Sequence, residues 1–110
     1  MSEIDTNKQE LEPKEAAAYL KAHPTTQLVD VRQPDEFASG HLAKAKLIPL
    51  GTLPVRLSEL DRSKPLLFYC AAGGRSGRAL DFALDQGYEK AMHVVGGIGA
   101  WAEAGLPVEV

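Results

Sequence analysis

Short apolar runs alternate along this chain with segments whose apolar residues recur at helical spacing. Residues 27–31 hold Leu28, Val29 and Val31, residues 66–70 run Leu-Leu-Phe-Tyr-Cys, and residues 91–95 run Ala-Met-His-Val-Val. Brief, nearly unbroken runs of this kind suit strands covered on both faces. Residues 9–11 and 45–48 suggest two shorter strands, the first at a sheet edge. Between the runs lie helical signals. Glu12-Pro13-Lys14-Glu15 opens a helix through Ala16–Leu20, with proline in the first turn and acids at the positive end. His23-Pro24 closes it, because a residue before proline avoids the helical region. Residues 33–37 turn into a short helix ending near Gly40. Thr52 is expected to cap a helix carrying Leu53, Val55, Leu57 and Leu60, and residues 61–65 form a loop. Ala79, Leu80, Phe82, Ala83 and Leu84 predict a helix capped at Gly87. Gly96-Gly97 turns the chain into a last helix over 98–104 that carries Trp101, stops at Gly105 and leaves a tail to Val110. Residues 1–8 are polar and expected to fray, which leaves 9–110 as one domain.

Strands alternating with helices predict an α/β fold with a mostly parallel sheet. In open sheets of that kind, sites form beyond the C-terminal ends of strands. Asp30 with Arg32, and Cys70, both fall at such ends.

Composition narrows the reading. The chain has 110 residues, enough for one core and too few for two. Apolar residues make up 45%, which excludes disorder of the whole chain. The net charge of −3 argues against a nucleic-acid surface. No apolar stretch approaches the roughly 20 residues of a membrane helix, and the acidic start is no signal peptide as written. One cysteine forms no internal disulfide, so the compartment is reducing or the thiol is functional, and a cytoplasmic location is expected. Three histidines and one cysteine show no metal-ligand spacing, and His23 and His93 look isolated. His41 is expected to bond backbone near its turn. No lysine followed by serine or threonine accompanies Gly73-Gly74, so neither a nucleotide nor any other cofactor is expected.

The chemistry converges on Cys70. A buried-strand pattern ends at that residue, a small loop of Ala71, Ala72, Gly73 and Gly74 follows, and a helical pattern begins after Arg75 and Ser76. Such a loop can curl its N–H groups around one point, and the next helix aims its positive end there. A thiol in that place is more readily held as thiolate. The competing reading, a cysteine that is merely a small buried hydrophobe, gives no reason for two tolerant glycines, two small alanines and a nearby cation. Arg75 would anchor the loop on a carboxylate, Glu36 or Asp30, or attract an anion; the structural pairing is the favoured role. Asp30 and Arg32 read as a structural ion pair, since buried charges persist by being paired. Arg78 faces either solvent or the site mouth.

With these residues in view, the chain resembles a single-domain rhodanese, a sulfurtransferase module. Three stretches carry the resemblance: residues 28–37 continuing to Gly40-His41-Leu42, residues 69–76 around Cys70, and residues 95–101 with 104–108. The resemblance implies a five-stranded parallel sheet flanked by helices on both faces. It implies that Cys70 takes a sulfane sulfur from a donor such as thiosulfate or a polysulfide, and carries it as a persulfide. Cyanide, a thiol or an acceptor protein would then remove the sulfur. The loop over residues 71–76 would cradle the anion, with Asp30, Arg32 and Glu36 in support and no metal. Related folds that hydrolyse phosphate esters use a loop one residue longer; here four residues separate Cys70 from Arg75. The sequence departs from the family after His41, where Leu42-Ala43 replaces the usual proline and glycine, and Ala71 and Ala72 carry no charge. A persulfide carrier and a noncatalytic interaction module of the same fold are the competing functions.

Overall fold

The computed structural model describes residues 9–110; the fraying expected over residues 1–8 lies outside them. Five strands form one parallel sheet in the order β1-β5-β4-β2-β3. The strands are β1 (Glu10–Leu11), β2 (Gln27–Asp30), β3 (Lys46–Leu47), β4 (Leu66–Tyr69) and β5 (Ala91–Val94). The helices are α1 (Pro13–Ala22), α2 (Pro34–Ser39), α3 (Leu53–Arg56), α4 (Gly74–Asp85) and α5 (Gly97–Glu103).

The unbroken apolar run of β4 puts it at the sheet centre, where all four of its residues are buried. Alternation along the strand then feeds two cores. Leu66, Phe68 and Cys70 join Val29, Val31, Leu53, Leu57, Ala79 and Ala83 on the side of α3 and α4. Leu67 and Tyr69 join Leu11, Ala16, Leu28, Met92, Val94 and Trp101 on the side of α1 and α5. Each large apolar side chain buried this way contributes roughly 1.5–3 kcal/mol. Helices therefore cover both faces, as a sheet without a polar face requires.

Several boundaries match the sequence pattern. Pro13 sits in the first turn of α1 with Glu15 in the same turn, and the helix ends before His23. The segment after β3 does not match. Thr52 has helical φ and ψ and caps nothing; its hydroxyl donates to the Pro49 carbonyl (2.8 Å). In place of one long helix, 3₁₀ turns at Leu50–Thr52 and Leu57–Glu59 flank a four-residue α3. Val55 is 81% exposed and outside the core. The spacing of Leu53, Leu57 and Leu60 still works, because all three reach the same core through the irregular segment. The C-terminal tail is also tied down: His41 and Glu109 exchange backbone hydrogen bonds of 2.7 Å.

Candidate active site

The site lies beyond the C-terminal end of β4. Cys70 leaves the strand, residues 71–73 bend, and α4 begins at Gly74. The bend turns on Gly73, whose φ of +109° is left-handed and which stands against Gly96: a Cβ there would meet the Gly96 nitrogen at 3.2 Å. Gly74, expected to share that role, is instead the first residue of the helix and has open space around it. Arg75 and Ser76 thus belong to the first turn of α4.

This geometry turns donors onto sulfur. The Gly73 N–H donates to Cys70 Sγ at 3.1 Å and the Ser76 N–H at 3.3 Å. The Ser76 hydroxyl lies 3.5 Å from the same atom. Burial pushes the Cys70 thiol up, but the Ser76 hydroxyl and the N–H groups of Ser76, Gly73 and Ala72 outweigh it and hold the thiol below its ordinary range. Cys70 itself is 1% exposed.

The loop is held from two sides. On one, the N-terminus of α5 donates to its carbonyls: Ile98 N–H to Cys70 (2.8 Å) and Gly99 N–H to Ala71 (3.1 Å). On the other, Arg75 makes a bidentate pair with Glu36, at 2.8 and 2.9 Å. Glu36 also accepts from the Gln33 N–H at 2.9 Å, so one carboxylate closes the first turn of α2 and anchors the first turn of α4. The Arg75 bonds, helped by that N–H, hold Glu36 down at about 2.

Asp30 and Arg32 pair with each other and not with the loop. Arg32 Nη2 lies 2.7 Å from Asp30 Oδ2 and 2.6 Å from the Gly40 carbonyl, and the Arg32 N–H closes a turn onto Asp30 at 2.9 Å. Both residues are buried, and the Arg32 guanidinium carbon lies 5.6 Å from the centre of the Tyr69 ring. The pair fixes the chain from β2 through α2, and so places Glu36. His41 Nδ1 lies 3.0 Å from the Phe37 carbonyl, the backbone bond expected of it. Arg78 is exposed, and Trp101 is buried with its ring N–H on the Pro107 carbonyl (2.8 Å).

The expectation of two isolated histidines fails: His23 stacks on Tyr19, with its Nδ1 3.1 Å from the Tyr19 carbonyl. His93 is not isolated: it is buried in β5, its Nδ1 is 2.9 Å from Ser76 Oγ, and its Nε2 is 3.4 Å from Glu10 Oε2. The available signal was a titratable residue inside an otherwise apolar buried run.

Comparison with known proteins fits this architecture. A model of the rhodanese-like domain matches residues 12–104. The chain belongs to the rhodanese-like family. Among its relatives, a protein of Allochromatium vinosum named as a sulfurtransferase is 40% identical over 81 residues, covering 74% of this chain and 76% of that one. YqhL of Bacillus subtilis is 40% identical over 85 residues, covering 77% of this chain and 64% of its own. The crystal structure of a rhodanese-related protein from Thermoplasma volcanium superposes with a TM-score of 0.84 at 31% identity, covering 92% of this chain and 97% of that one.

Proposed function

We propose that this rhodanese-like protein is a sulfurtransferase that carries sulfane sulfur as a persulfide on Cys70. The observation that carries the reading is the convergence of the Gly73 and Ser76 N–H groups on Cys70 Sγ. Donors fixed in backbone stabilise an anion without reorganising. They serve the attacking thiolate first and the anionic persulfide after it.

The reaction balances through two displacements. The Cys70 thiolate attacks the outer sulfur of the donor. A new S–S bond forms at Cys70 as the donor's own S–S bond breaks, and its electron pair leaves with sulfite or a shortened polysulfide. A nucleophilic acceptor, such as cyanide or a thiol, then attacks the outer sulfur and releases Cys70 as thiolate. Asp30, Arg32 and Glu36 act as supports for the loop and touch no reacting atom.

Two features bear on the donor. A thiol with 1% exposure suits an end-on approach by a terminal sulfur atom, and disfavours a phosphate with four oxygens. Ala71 and Ala72 bring no charge to the loop, and the Arg75 charge is matched by Glu36. That balance leaves the three-oxygen sulfonate end of thiosulfate without a counter-charge, and favours polysulfide, whose charge lies on sulfur, or a protein persulfide.

The test is intact mass after exposure to polysulfide and, separately, to thiosulfate, with Cys70→Ser beside the wild type. The expected result is a gain of one sulfur, larger with polysulfide, removed by cyanide or a thiol and absent in the variant. A folded protein with a free thiol that gains no sulfur from either donor refutes small-donor transfer.

A further inference from the structure

His93 is a buried titratable side chain that the persulfide chemistry does not by itself require. Its ring stands under the first turn of α4. A Cβ on Gly77 would meet His93 Cε1 at 3.8 Å, so the helix lies directly against it. Three atoms follow in line from the reacting sulfur: Cys70 Sγ, Ser76 Oγ at 3.5 Å, and His93 Nδ1 at 2.9 Å from that oxygen. Beyond the ring, Nε2 reaches the Glu10 carboxylate on β1 at 3.4 Å.

We propose that His93 takes the Cys70 proton through the Ser76 hydroxyl, and so decides whether the sulfur is thiol or thiolate. The proposal rests on Cys70 being the reacting thiol, and adds the group that activates it.

The proton count closes within the chain. The Sγ–H bond of Cys70 breaks as a new O–H bond forms on Ser76. The original O–H bond of Ser76 breaks as Nδ1–H forms on His93. Ser76 ends as it began, as a hydroxyl, but reversed in direction. Before transfer its hydrogen points to Nδ1 and its oxygen accepts from the thiol. Afterwards Nδ1–H donates to the oxygen, and the hydroxyl hydrogen points to the thiolate. The Gly73 carbonyl, 3.2 Å from Ser76 Oγ, is the competing acceptor for that hydrogen. Nε2–H donates to Glu10 throughout, which leaves Nδ1 as the nitrogen free to receive the proton.

Among the described residues, three elements bring groups to the ring. β1 contributes Glu10, and β4 contributes Phe68, which pairs with His93 in the sheet. α4 contributes Ser76 and Gly77, with Asp81 further along sharing a surface hollow with Glu10, Glu12 and Glu15. His93 reaches the sulfur only through Ser76, so it is a positioning residue.

Two measurements test this without any sulfur donor, so their failure is distinct from failure of the persulfide reading. The first is the pH profile of Cys70 alkylation by iodoacetamide. His93→Ala is expected to slow alkylation at neutral pH, by up to about tenfold for each unit by which the thiol pKa rises. His93→Asn can donate to Ser76 but cannot take a proton. It is expected to recover part of the neutral-pH rate without restoring the wild-type pH profile. Superimposable profiles for wild type and His93→Ala overturn the proposal. The second needs no variant: NMR titration of the His93 ring in wild-type protein before and after Cys70 is alkylated. Coupled sites titrate together, so removing the thiol is expected to shift the ring's titration. An unchanged titration overturns the relay even if His93→Ala fails to fold.

Discussion

Gly97→Ala gives the sharpest test of how the cysteine loop is held. Gly97 opens α5 at φ +61°, a left-handed conformation, with its α-carbon hydrogens against the loop backbone. A Cβ there would collide with the Cys70 carbonyl oxygen and lie 2.6 Å from both the carbonyl carbon and oxygen of Ala71. No flexible side chain is available to give way. The alanine therefore forces apart the two segments joined by the Ile98-to-Cys70 and Gly99-to-Ala71 hydrogen bonds. Holding alanine at left-handed φ costs roughly 1–2 kcal/mol, and overpacking adds typically 1–3 kcal/mol. The expected loss is about 2–5 kcal/mol. For a chain of this size that lowers Tm by roughly 4–8 °C per kcal/mol. Gly105→Ala separates the two costs: Gly105 has φ +81° and a methyl group there would meet nothing within 4 Å, so it carries the conformational cost alone. Thermal unfolding followed by circular dichroism compares the three proteins. A Gly97→Ala variant no less stable than Gly105→Ala would refute the claim that α5 clamps the loop by backbone contact.

Two further predictions concern the charged supports. Glu36→Gln keeps a carbonyl for the Gln33 N–H but removes the charge that pairs with Arg75, and costs about 1 kcal/mol or less because the pair is partly exposed. Its pH signature is more telling. The folded Glu36 titrates at about 2, below its ordinary 4.5, so its contribution is present above 4.5 and is lost as pH falls toward 2. Urea unfolding across that window should show a pH-dependent component in wild type that the variant lacks; identical pH dependence would refute it. Asp30→Asn leaves the Arg32 guanidinium buried without its counter-charge, which costs roughly 3–5 kcal/mol. A loss below about 1 kcal/mol on urea unfolding would show that Arg32 needs acceptors there but not a counter-charge.

Much of this protein is legible in residues that are neighbours along the chain. The apolar run 66–69 demands a central strand, since burial on both faces leaves no polar position. Pro13 and Glu15 mark a helix start, and His23-Pro24 its end, through local backbone restrictions. Asp30 and Arg32 sit two residues apart, close enough for their pairing to be read directly. The small residues between Cys70 and Ser76 announce a loop around sulfur. The region from 50 to 60 escapes such reading because its leucine spacing satisfies a helix and an irregular chain equally well; only packing into the core shared with β2 and β4 chooses between them.

Which distant groups meet depends on the folded chain. Glu36 rather than Asp30 holds Arg75, from 39 residues away, because Asp30 is already consumed by Arg32 and α2 points its first turn at α4. Gly97 and the N-terminus of α5 reach the loop only because β5 lies beside β4. His93 meets Ser76 across 17 residues and Glu10 across 83. Strand order brings β1, β5 and the start of α4 to one place, and a parallel sheet pairs strands far apart in the chain. Spacing along the sequence carries no trace of that neighbourhood.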